Sequence, residues 1–119
     1  MSNEEIIKLQ QKMKDKVKAI NGMTTSIALA HTVIGMASDN RKRLLAKFSA
    51  PYIREGKSDA VAQTLARADE KYVAELKEFA DGLQSAYEIK AEYDALHSGL
   101  EVARSLHSMV NRKLSNFLE

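Results

Sequence analysis

VAQTLARADEKYVAELKEFADGLQSAYEIKAEYDALHSGLEVARSLHSMVNRKLSNF, residues 61–117, decides the fold. Leu65, Tyr72, Phe79, Ala86, Tyr93, Leu100, His107 and Leu114 recur every seventh residue. Val61, Ala68, Glu75, Gly82, Ile89, Leu96, Ala103, Val110 and Phe117 form a second series offset from the first by four. Steps of three and four keep apolar residues on one stripe of a helix. Holding the period at seven keeps that stripe facing a partner helix, as in a coiled coil. Glu75 and Gly82 are the defects in the second series, and Leu76 and Leu83 follow one residue later. Glycine inside a helix costs about 1 kcal/mol relative to alanine. The pattern therefore predicts one helix over residues 59–116 with a local bend at 75–83, opened by Ser58 as N-cap and Asp59 in the first turn.

Upstream, Ile6, Met13, Ile20, Ile27 and Ile34 repeat by seven, as do Leu9, Lys16, Met23, Ala30, Ala37 and Leu44. Ser2 and Glu5 have the spacing of a capping box. Asn21-Gly22 followed by Thr24-Thr25-Ser26 reads as a stop and a fresh cap. A loop has no reason to preserve helical phase, so the phase favours one helix over 3–49, weakened at Gly22, ahead of two. Between the halves, Pro51 disfavours the α conformation of Ala50 and Gly56 permits positive φ, which predicts a turn at 50–58. The expected fold is all-α: a single domain of 119 residues forming a long antiparallel helical hairpin, coiled-coil-like. Leu29, Val33 and Met36 add a second apolar stripe to the first arm, and Val102, Leu106 and Met109 add one to the other. A helix apolar on two faces is buried on two sides, which predicts a homo-oligomer, a dimer of hairpins making a four-helix bundle first.

Composition narrows the chemistry. The chain has no Cys, which removes a disulfide framework and a thiol nucleophile, and 6% aromatic residues, which suits helix packing better than a thick core. No run of about 18 apolar residues is present to cross a bilayer, and the opening MSNEEII lacks the basic and apolar regions of a secretory signal, so a cytoplasmic protein without membrane partners is expected. Residues 1–57 carry eleven Lys and Arg against five Asp and Glu, a balance of +6, while residues 58–119 carry seven against eleven, a balance of −4. Halves of opposite charge suit antiparallel pairing.

No catalytic set appears, and no enzyme, cofactor or small-molecule substrate is expected. Asp94, His97 and Glu101 share one helix face, which is half of a bundle metal site. The matching Glu-x-x-His is missing, since Arg104 stands three residues before His107, and ion pairing accounts for the trio with no metal. His107 occupies a seam position, where a polar residue sets register. His31 is expected inside or at the edge of its apolar stretch. The better lead is basic: Arg41, Lys42, Arg43, Lys47, Arg54 and Lys57 gather toward the turn, with Tyr52 among them as a base-stacking surface. Such clusters also arise because helix C-termini and solvated turns favour cations.

The stretch EVARSLHSMVNR at 101–112, with Tyr72, Tyr87, Tyr93, Arg104, Ser105 and Arg112, resembles the ends of short helical accessory proteins from bacteriophage early regions. The resemblance covers about the last half of the chain and implies a non-enzymatic role in phage DNA metabolism or host takeover. Together these features lead to a non-enzymatic coiled-coil interaction protein that binds nucleic acid or an acidic protein surface through its basic tip. The alternative is an inhibitor or adaptor that captures a host protein on its exposed apolar faces.

Overall fold

A computed structural model of the chain describes residues 2–118, apart from the side chains of Leu114, Phe117 and Leu118. The last members of the two seam series, Leu114 and Phe117, thus lie outside the described residues. Those described form five α-helices and no strand: α1 Asn3–Gly22, α2 Thr24–Gly35, α3 Ala37–Arg54, α4 Asp59–Ala68 and α5 Glu70–Leu118. The architecture is the all-α antiparallel hairpin. Its residues fall into two compact units, a terminal unit of Met1–Ala28 with Ile89–Glu119 and a hairpin unit of Leu29–Glu88.

In the terminal unit the Ser2 hydroxyl accepts the Glu5 N–H at 3.2 Å, which starts α1. Ile6, Leu9, Met13, Lys16, Ile20, Met23 and Ile27 turn inward as their spacing requires. Tyr93, Leu96, Leu100, Ala103, His107 and Val110 of α5 face them. Gln10 meets His107, and Lys16 lies so close to Gly99 that a Cβ there would stand 2.8 Å from Nζ. Partner numbers fall as the first rise, so the segments are antiparallel.

The first arm resolves the ambiguity at Gly22 between the two alternatives. Met23 leaves the helix with φ −92° and ψ 1°, and its N–H bonds to the Ile20 carbonyl at 3.1 Å. The ladder resumes at once with Ile27 N–H on the Met23 carbonyl at 2.8 Å. The Thr24 hydroxyl donates to the Asn21 carbonyl at 2.8 Å, a local competitor to the helical ladder. Met36 makes a similar one-residue joint at φ −95° and ψ 0°. Three helices stand where one was favoured, while the inward positions keep their heptad spacing.

The hairpin unit departs from expectation at its turn. α3 continues through Pro51 to Arg54, so the turn begins at Glu55 and not at residue 50. Proline removes one donor, but only the last helical turn follows it, and that turn is closed by Glu55 N–H on the Pro51 carbonyl at 3.2 Å. Gly56 N–H then bonds to the Ile53 carbonyl at 3.0 Å and Lys57 N–H to the Tyr52 carbonyl at 3.2 Å. This is a Schellman motif, with Gly56 at φ 90° in the left-handed position that glycine tolerates. The Ser58 hydroxyl accepts the Val61 N–H at 3.3 Å and starts α4.

The second arm is not one helix from residue 59. Asp69 has extended backbone at φ −70° and ψ 126°, ending α4 and capping α5. Its N–H bonds to the Ala66 carbonyl at 3.1 Å, while its carboxylate accepts the Lys71 N–H at 2.8 Å. The break shifts the inward face of α4 by one residue. Ala62 and Ala66 are fully buried at 0% exposure, whereas Val61 and Leu65, placed in the seam by an unbroken heptad, are 48% and 36% exposed. Ala68 is exposed too. From Tyr72 onward the expected phase holds. α5 runs without interruption through Glu75 and Gly82, so the bend expected at 75–83 is displaced to Asp69. Gly82 faces solvent while Leu83 turns in, and a Cβ at Gly82 would meet nothing within 4 Å. Gly82→Ala is therefore expected to stabilise the chain by about 1 kcal/mol, read as a rise in the urea midpoint. A loss of stability would show that residue 82 marks a strained bend after all.

Candidate functional site

The basic residues of the hairpin unit are spread out. Arg41 and Arg54 lie 13 residues apart on α3, roughly 20 Å of helix. Arg41 and Lys42 border a shallow groove with Ala37, Ser38 and Leu83. Arg43 and Lys47 border another with Glu75, Glu78 and Phe79. Lys47 is engaged: its Nζ lies 3.2 Å from Glu75 Oε1, 3.3 Å from Oε2 and 5.3 Å from the centre of the Phe48 ring. The charged seam defect at Glu75 thus has a partner across the hairpin, although an ion pair this exposed contributes little to stability. Arg54 Nε donates to the Ala50 carbonyl at 3.4 Å, at the C-terminal end of α3 where the helix dipole favours a cation. Tyr52 is half-buried. Among the described residues Arg41, Lys42, Arg43 and Lys57 are exposed without a carboxylate partner. Of these, Arg41 and Lys42 share one groove, while Arg43 points to the other beside Lys47.

The second apolar stripes are uncovered. In the hairpin unit Leu29 is 63% exposed, and Val33 and Met36 continue its stripe one and two turns on. In the terminal unit Val102 is 68% exposed, followed by Leu106 and Met109 at the same spacing. Each trio sits at i, i+4 and i+7, the geometry by which one helix face engages another. The displacement of α4 adds Val61 and Leu65 to the exposed apolar residues of the hairpin unit. That group was hidden in the sequence because the heptad assigned its members to the seam. The signal for it was Asp69-Glu70, an N-cap residue followed by an acid in the first turn.

The histidines separate by environment. His107 is half-buried in the seam, 3.3 Å from the Gln10 side-chain nitrogen and 3.4 Å from that of Asn111. It supplies the cross-arm polar contact expected of a register residue. His31 is exposed, contrary to its expected place in or beside the apolar stretch, because Ile27, Ala30 and Ile34 form the inward face of α2 and His31 lies off it. His97 stacks edge-on against Tyr93 with ring centres 4.5 Å apart, and its Nε2 is buried without a hydrogen bond. Asp94, on the same helix, instead accepts from Lys90 at 2.8 Å. Among the described residues no three His, Asp or Glu side chains come together as a metal site. An unsatisfied buried nitrogen costs about 1–3 kcal/mol. His97→Leu should therefore raise the urea midpoint, by about 1 kcal/mol of stability; a loss of that size would show that the imidazole has a polar role.

No helix among the described residues is long and apolar enough to cross a membrane. No family model, curated protein or solved structure matches the chain.

Proposed function

We propose that this chain is a non-enzymatic interaction protein that pairs with a second copy of itself through its uncovered apolar stripes and presents Arg41, Lys42 and Arg43 to nucleic acid. The observation that carries the reading is the exposure of Leu29, Val33 and Met36 and of Val102, Leu106 and Met109, each trio along one helix face. Contiguous exposed apolar surface marks an interaction site. A two-fold pairing sets the same stripe of two chains against each other, so the chain supplies its own complement. The resemblance of its last half to phage accessory proteins directs this reading toward DNA metabolism.

Sedimentation tests it. The wild-type chain should sediment as a dimer, and L29E/V33E or V102E/L106E should sediment as a monomer with helical circular dichroism unchanged. A wild-type monomer would overturn self-pairing and leave the stripes to a foreign helix, the inhibitor or adaptor reading. Nucleic-acid contact is tested on the same preparations with a short duplex. Three phosphate contacts give a slope of log affinity against log salt of about −2.7, hence about a 40-fold loss for a fourfold rise in salt. R41E/K42E/R43E should abolish retention and keep the dimer. Retention unaffected by that variant would overturn the nucleic-acid assignment.

A further inference from the structure

The terminal unit holds a groove of about 680 Å³ that the stripes and the basic trio do not involve. Its floor is apolar, formed by Met13 and Val17 of α1 and Leu100 of α5. Lys14, Lys18 and Arg104 line it as well, with no carboxylate in the lining. Among the described residues none of these three cations forms an ion pair, and all three are exposed. The contact between Gln10 and His107 stands at one end and Asn21 at the other. An apolar floor with uncompensated cations selects for a ligand that is apolar along its body and anionic at its head. A carboxylate matches the planar donor fork of Arg104.

From Gln10 to Asn21 the groove follows α1 for roughly 16 Å. That length suits an extended alkyl chain, and the volume of about 680 Å³ lies within the roughly 300–1,000 Å³ of small-molecule sites. We infer that the groove between α1 and α5 binds an anionic single-chain amphiphile of the fatty-acid class, as a ligand and not as a substrate. Its tail lies on Met13, Val17 and Leu100, and its carboxylate is held by Arg104 with Lys14 and Lys18.

The test is a titration of the full chain with a dansyl-labelled medium-chain fatty acid below its micellar concentration. Saturable binding of one probe per chain is expected, weakened at least tenfold in R104E, in K14E/K18E and in V17D, and unchanged in R41E/K42E. The uncharged methyl ester of the probe should bind at least tenfold more weakly. Equal binding in all variants means adsorption to exposed apolar surface and overturns the site. An ester that binds as well as the acid overturns the role of the cations. Displacement of the probe by an acidic amphipathic peptide at lower concentration than by dodecanoate makes the groove a helix dock, against the inference. A fall in sedimented mass on R104E makes it a contact between copies, also against it. If V17D loses helicity, the two surface-charge variants decide alone.

Discussion

Tyr72→Ala is expected to cost about 3–4 kcal/mol, within the range for removing a buried aromatic ring from a core. Tyr72 is 8% exposed and is the first large apolar residue after the Asp69 break. Its ring meets Phe48 edge-on, with centres 5.7 Å apart and planes at 71°. The pair fixes the start of α5 against α3 at the point where the helical ladder is interrupted and cannot hold the direction itself. A domain of ordinary stability has about 5–15 kcal/mol in total, so the loss is a large share of it. Urea unfolding of Y72A, F48A and the double variant would measure the pair directly. The coupling should be about 0.5–1.5 kcal/mol beyond the area buried. A cost under 1 kcal/mol for Y72A would show that the hairpin unit is not packed around this ring.

Ala66→Leu is expected to cost about 2–3 kcal/mol, and Leu65→Ala less than 1. Ala66 is completely buried, and Ala62, one turn earlier, and Ser49 of α3 are small and buried as well. Small side chains at these positions let α3 and α4 approach closely, and three added heavy atoms have no room without displacing backbone. Leu65 stands on the outer side of α4. The two substitutions together report the register of α4. An unbroken heptad reverses the result: Leu65→Ala then opens a cavity worth about 2–5 kcal/mol and Ala66→Leu is tolerated. Reversal would mean that Asp69 does not break the helix.

That contrast locates what is legible in the sequence. Period-seven spacing reports which positions face inward wherever the backbone stays helical, and it assigned every inward position named in the first arm, including Lys16. It does not report a single nonhelical residue, because shifting the face by one still leaves a run of apolar side chains. At Val61-Ala62 and Leu65-Ala66 the larger residue drew the assignment and the smaller one is buried, since close helix approach selected for small size. The cap at Asp69 was written in Asp69-Glu70-Lys71 but was outweighed by the length of the repeat. Pro51 misled in the opposite direction: its local preference against helix gave way in the final turn of α3, where Ser49 and Tyr52 are packed. The uncovered stripes were legible because they sit on helices already placed. The groove was not, because Lys14, Lys18 and Arg104 come from segments far apart in the chain and share no local motif.

The turn closed by Gly56 also has a consequence for how the molecule assembles in time. Lys47 and Glu75 meet across 28 residues of chain, whereas Gln10 and His107 meet across 97. Closing the longer loop from an open chain costs about 1 kcal/mol more entropy than closing the shorter one. Once the short loop is closed, each further cross-arm contact needs only a small additional closure. Structure is therefore expected to spread outward from residues 55–58, with Gln10 and His107 meeting late. Substitutions near the turn are then expected to slow folding and those around Leu100 to speed unfolding, a contrast read from the two limbs of a urea chevron, so that the two ends of the hairpin answer to different clocks.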